Sequence, residues 1–234
     1  MLRMRRTWFL PVILAGAVIL GMPPPAPADF TLTLHEQGYS DLVIHDNGAG
    51  DLSTANGVII FGGTFGTFSI TAEIGSSNSA TATAPAVLTI NQLAIQSNDA
   101  GTGKLTITLT DTGFSAPNPG PALMQSQLST TAMTGTGSVS FQSFLDGTGG
   151  TKLTLNTAPG GKNATDAVTI GGSPYTLSNV TTVTLSAGGT MQSTGITTVA
   201  TPAPTGVELA VTGLPLLGVG LWLHRRRRRA EGSA

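Results

Sequence analysis

The sequence predicts an all-β fold, sandwich-like in its layering, with a solenoid or a barrel as the alternative architectures. Three observations lead there. The segment KLTITLT alternates strictly, placing Leu105, Ile107 and Leu109 on one face and Lys104, Thr106, Thr108 and Thr110 on the other. Between the two ends of the chain no stretch sustains the 3.6-residue period of an amphipathic helix. Turn-forming clusters punctuate the chain at short intervals, among them DNGAGD, GSSNS, SNDAGTG, DGTGG and APGGKN.

Taken in order, the predicted strands are FTLTL (Phe30, Leu32, Leu34), FSITAEI (Phe68, Ile70, Ala72, Ile74) and KLTITLT. They continue through KLTLN (Leu153, Leu155), AVTI (Val168, Ile170) and TTVTLS (Val183, Leu185). Each carries one apolar face. A set of ten or more such strands buries those faces only against another sheet, which favours a sandwich. A solenoid would show a fixed repeat length, and none is present. The 31 glycines and 14 prolines in 234 residues stay below the fraction that marks a disordered chain. The chain has no cysteine, which excludes disulfides and thiolate metal sites together.

Charge is distributed unevenly. Eight of the eleven basic residues are arginines at the ends, Arg3, Arg5, Arg6 and Arg225 to Arg229. The body from Asp29 to Thr201 holds Lys104, Lys152 and Lys162 against ten Asp and Glu. Phosphate binding needs clustered Lys or Arg, so nucleic acid is not an expected partner.

The end segments predict export. MLRMRR is a basic leader, TWFLPVILAGAVILGM an apolar run, and Ala26-Pro27-Ala28 a small-residue cleavage site before Asp29. At the other end, Leu209 to Leu223 is free of charge for 15 residues and is followed by Arg225, Arg226, Arg227, Arg228 and Arg229. As a helix that run covers about 22 Å, short of a ~30 Å hydrocarbon core but workable when flanking arginines snorkel. The arginines would stay cytoplasmic, making a stop-transfer anchor. The expected domains are therefore a signal peptide at 1–28, a β-rich extracytoplasmic domain at 29–190 and a Thr- and Pro-bearing linker at 191–206. A transmembrane helix at 207–224 and an Arg-rich cytoplasmic tail at 225–234 complete the chain.

The tail, with prolines, an apolar helix and an arginine cluster in sequence, resembles the PEP-CTERM sorting domain of exported bacterial proteins over about 28 residues. The resemblance implies an exosortase-like processing enzyme as partner, which would cut an inner-membrane-anchored precursor and pass it to the cell surface or extracellular matrix. Pro202-Ala203-Pro204 has Ala203 where that family's motif has Glu. The body is also similar to a recurrent group of such proteins, in which a strand like LTITLTDTGF (Leu105 to Phe114) precedes a Gly- and Pro-rich loop and a strand like SVSFQSFLD (Ser138 to Asp146). That likeness implies architecture alone.

Catalytic chemistry is poorly represented. HEQGY at His35 begins like a zinc-protease motif, but Tyr39 occupies the place of its second histidine. His35 and His45 would meet if a hairpin turned at EQGYSD, with Asp46 near, and DNGAGD supplies Asp46 and Asp51 as oxygen donors. These four are the candidate metal ligands. GTGK at Gly101 lacks the hydroxyl residue a phosphate loop needs after its lysine.

Three functional classes follow. The first is an exported, surface-anchored or matrix-associated β-protein that is not an enzyme and carries no cofactor. The second is a module binding extracellular polysaccharide or calcium. The third is a secreted hydrolase, which would need carboxylates such as Asp111 and Asp146 brought together. Sugar-binding sheets often use aromatic platforms, and both tryptophans, Trp8 and Trp222, lie outside the body.

The export reading predicts that protein recovered from the cell surface begins at Asp29 and lacks Trp222. Changing Pro202 and Pro204 to Ala should leave the chain at full length in the membrane, as mass spectrometry of the membrane fraction would show. An unmutated surface form that still carries Trp222 would reduce the tail to a plain anchor.

Overall fold

The computed structural model describes residues 29–81 and 83–202, with the backbone alone at 72–74. Ala26, Ala28, Ala203, Pro204, the apolar run at 207–224 and Arg225 to Arg229 lie outside the described residues. The chain forms β1 (Phe30–Glu36), β2 (Leu42–His45), β3 (Val58–Phe65), β4 (Phe68–Ser77) and a short 3-10 turn (Ser79–Thr81). It continues as β5 (Ala86–Ser97), β6 (Thr102–Phe114), β7 (Gly120–Thr134), β8 (Gly137–Leu145) and β9 (Thr148–Gly149). The last four are β10 (Leu153–Leu155), β11 (Gly160–Ile170), β12 (Tyr175–Ser186) and β13 (Thr190–Ala200).

These strands build two antiparallel sheets. The first has the order β10-β8-β12-β6-β1-β2, with β9 pairing β8, and the second the order β11-β7-β13-β5-β4-β3. Their inner faces pack together as a β-sandwich. From β5 onward the chain crosses repeatedly between sheets, staying in the first for β8, β9 and β10, so the central strands pair with distant partners: β6 with β12, and β13 with β7 and β5.

The alternation read from the sequence is realised in the core. Leu105, Ile107 and Leu109 on β6 are wholly buried, as are Leu32 and Leu34 on β1 and Val183 and Leu185 on β12. Two differences stand out. Residues 191–200, expected to belong to a solvated linker, form most of β13, a central strand with Met191 and Val199 in the core. MQSTGITTV carries so much Thr that it reads as spacer, but its small polar residues suit a strand whose neighbours approach closely. Likewise Gly160 to Lys162, read as a turn, open β11.

Gly195 shows how close that approach is. A Cβ at this position would stand 2.5 Å from Cε2 of Phe141, a wholly buried ring on the opposite sheet. One layer away, a row of polar groups crosses from sheet to sheet. Ser126 Oγ on β7 donates to Ser143 Oγ on β8 at 2.7 Å, and Ser143 meets Thr197 Oγ1 on β13 at 2.5 Å. Thr197 donates to Asn179 Oδ1 on β12, and Asn179 Nδ2 donates to the Leu88 carbonyl on β5 at 3.0 Å. All four side chains are wholly buried. Because Thr197 gives its proton to Asn179, it accepts from Ser143, which accepts from Ser126, and the row runs in one direction with every hydroxyl donor used.

Thr197→Val keeps the volume and strands the Ser143 proton and the Asn179 carbonyl without partners. It should cost about 1 to 3 kcal/mol for each buried group left unpaired, measured by urea unfolding. The neighbouring Thr198→Val, on the outward face, should change little.

Candidate functional site

The residues singled out in the sequence as metal donors are not brought together. The β1–β2 register sets His45 opposite Thr31 and Leu42 opposite Leu34, so His35 and His45 stand at opposite ends of the hairpin. Each takes its own exposed carboxylate, His35 Nδ1 with Asp41 Oδ1 at 2.6 Å and His45 Nδ1 with Asp29 Oδ1 at 3.1 Å. Asp51 organises the loop before β3, accepting from the backbone amides of Ser53, Ile60 and Asn47 at 2.8, 2.9 and 2.9 Å. Asp46 Oδ2 accepts from Gly57 N at 2.8 Å. No group of three or more His, Cys, Asp or Glu able to hold a metal forms among the described residues.

Asp111 and Asp146 have different surroundings. Asp111 sits on the inner face of β6, wholly buried, with Oδ2 accepting from Ser79 Oγ at 2.6 Å. Asp146 is exposed in the turn after β8, two strands away, where Oδ1 accepts from Thr176 N at 2.8 Å. Pro202, the described residue of the expected sorting motif, is exposed just beyond β13.

A concave surface lies elsewhere, on the outer face of the second sheet. Its strands are broken by register shifts at neighbouring positions. On β4 the shift leaves Thr71 unpaired between Ile70 and Ala72, interrupting the alternation read for FSITAEI. On β5, Asn91 and Gln92 stand against Thr194 alone, and on β7 Thr131 is the extra residue opposite Gln192 and Ser193. Such bulges bend a strand and raise its local twist. Aligned across adjacent strands, they fold the sheet into a trench.

Those extra residues line it. Thr71, Gln92, Thr131 and Gln192 are exposed, Ala94 and Thr194 half-buried, around a concavity of about 550 Å³. Gln92 adopts φ 53°, a left-handed conformation uncommon for a residue with a side chain, and strain of that kind tends to collect at functional positions. A second concavity of about 340 Å³ meets the first at Thr194 and continues past Gln127, Ser129 and Ile196 to Gly161 and Asn163 on β11. The two together cross β4, β5, β13, β7 and β11. At ~4.8 Å per strand spacing that path is roughly 19 Å long.

This face is uncharged along its centre. β5, β7 and β13 contain no Asp, Glu, Lys or Arg, and the charge at the margin is the exposed Lys162 on β11, which lines the far end of the second concavity. Amides and hydroxyls are what most of the trench offers, with Ile196 and Ala94 as its apolar ground and Lys162 at its β11 end. Sequence reading missed this site. Its residues look like ordinary solvent-facing strand positions, and bulges leave no composition signal.

No protein-family model matches the chain, and no curated protein matches it. Among solved structures it is similar to TmCBM61 in complex with β-1,4-galactotriose, at 10% identity over 60% of this chain and 92% of that one, with a TM-score of 0.28. It is similar to the C-terminal CBM6 of LamC from Zobellia galactanivorans, at 14% identity over 61% and 89% of the two chains, with a TM-score of 0.22. A third similarity is to the enzymatically active domain of bacteriophage CBA120 tailspike protein 4, at 16% identity and a TM-score of 0.27, covering 60% of this chain and 20% of that one.

Burial pushes the Asp111 carboxyl above its ordinary value of 3.8; the hydroxyls of Ser77 and Ser79 pull it partly back, and the charges of Asp46 and Asp29 raise it again. The folded state therefore binds this proton more tightly than the unfolded state. Stability should fall as pH rises from 3.8 through the raised value and level off above it. Asp111→Asn should flatten that part of the profile when melting is followed in a chelating buffer.

Proposed function

We propose that this chain is an exported, non-catalytic β-sandwich protein that binds a neutral polysaccharide along the trench of its second sheet. The observation that carries the reading is the coincidence of shape and chemistry: the residues displaced by the bulges are those whose amides and hydroxyls line the trench. A sugar ring presents hydroxyls that both donate and accept, and a side-chain amide answers both. Its C–H faces can rest on Ile196, Ala94 and the threonine methyls. A lining of amides and hydroxyls, with Lys162 as a lone cation at its β11 end, favours a largely uncharged polymer.

The PEP-CTERM-like tail would place this face outside the cell, on a protein at the surface or in the matrix after release by an exosortase-like enzyme. A purely structural surface protein would have no need of a trench lined this way.

The test is affinity electrophoresis through gels carrying a neutral β-glucan, a neutral galactan or the acidic polymer alginate. Retardation is expected in one or both neutral gels. Replacing Gln92 and Gln192 together by Ala should weaken it roughly tenfold, the loss of about 1.4 kcal/mol of hydrogen bonding, with the melting temperature unchanged. Retardation by alginate alone, or by none of the three, would overturn the reading.

A further inference from the structure

Far from the trench, at the end of the sandwich where β1 begins, two carboxylates are poorly provided for. Asp111 on β6 lies opposite Phe30, and Asp46 N, just after β2, donates to the Phe30 carbonyl at 2.9 Å. The two aspartates thus flank the first residue of β1 from either side. Both reach inward toward the same segment of the facing sheet. Asp111 Oδ2 takes the Ser79 hydroxyl, while Asp46 Oδ2 takes the amide of Gly57, whose own carbonyl accepts from Ser77 N at 2.9 Å.

The second oxygen of each carboxylate accepts no well-formed hydrogen bond, although the Ser77 hydroxyl stands close to Asp111. Three buried side-chain polar atoms lack a hydrogen-bond partner among the described residues, and two of them are Asp46 Oδ1 and Asp111 Oδ1. Asp111 is wholly buried, and no Lys or Arg pairs with either residue, the ion pairs of the described chain being His35–Asp41 and His45–Asp29. A buried carboxylate oxygen without donor or cation is costly, and a native fold seldom keeps two at one end of a sandwich.

We propose that Asp46 and Asp111, together with the hydroxyl oxygens of Ser77 and Ser79, bind one calcium ion that ties the start of β1 and its neighbours to the facing sheet. The donors are all oxygen, which suits a hard cation; the nearest imidazole, that of His45, is turned outward to Asp29. Two carboxylates balance a divalent charge. Calcium tolerates an irregular shell completed by hydroxyls, carbonyls and water, whereas magnesium demands a near-octahedral one. With only two carboxylates the affinity falls in the range of extracellular modules, Kd about 0.1 to 1 mM. The inference is independent of polysaccharide binding.

The experiment uses the full-length protein purified in detergent, stripped with EGTA and dialysed against CaCl2. One calcium per chain is expected, with melting raised by roughly 5 to 10 °C at a hundredfold excess over Kd. Asp111→Asn and, as a second route should that variant fold poorly, Asp46→Asn should each lose the bound ion and the shift. Asp51→Asn, in the adjacent loop, should keep both. Failure of the wild type to bind calcium at 10 mM would overturn the proposal, as would an undiminished shift in both Asp46→Asn and Asp111→Asn. Melting that responds to pH but not to calcium would assign the two orphan oxygens to a shared proton instead.

Discussion

The hydrogen-bonded row from Ser126 through Ser143 and Thr197 to Asn179 holds each sheet to one position on the other. Apolar faces alone slide past one another at small cost, because dispersion and water exclusion are indifferent to direction. A directional row in a dry core is not, since any displacement leaves a hydroxyl or amide unpaired where no water reaches. The row draws on β7, β8, β12 and β13, with the β5 carbonyl of Leu88 closing it. Those are central strands of both sheets. The edges are free to vary around them.

The trench depends on the same strands. Thr197 faces inward on β13, and two residues earlier the strand presses Gly195 against Phe141, next to the shift that leaves Thr194 opposite Asn91 and Gln92. Only a residue without a side chain lets the Phe141 ring come this near the backbone. The inner surface is therefore filled at the level where the outer surface bends inward. A surface built this way is held in shape, being the reverse side of a packed core.

The buried carboxylates lie at the ends of the sandwich. Glu36, buried at the end of β1, clamps the β3–β4 turn by accepting from Thr67 N at 2.8 Å and from its hydroxyl at 2.5 Å. Asp111 and Asp46 occupy the opposite end. Between them the core is apolar except for uncharged hydroxyls and one amide. Among the described residues the ion pairs are the two exposed His–Asp pairs, so the core closes without one.

The faces of the strands were legible in the sequence. Alternation in KLTITLT, FTLTL and TTVTLS follows from the pleat, which sends successive side chains to opposite sides wherever the strand is paired. Strand pairing was not legible, because backbone hydrogen bonds are blind to side-chain identity: nothing in Lys104 to Thr110 names Ser178 to Thr184 as its neighbour, far along the chain. Nor were the bulges. Thr71, Gln92 and Thr131 differ from other strand residues only in the register their partners impose, and that register exists once six strands from distant parts of the chain have met. The sequence by itself determined which residues face inward and that the fold is all-β. Tertiary structure decided which strands adjoin, where the sheet bends, and hence where a site could form.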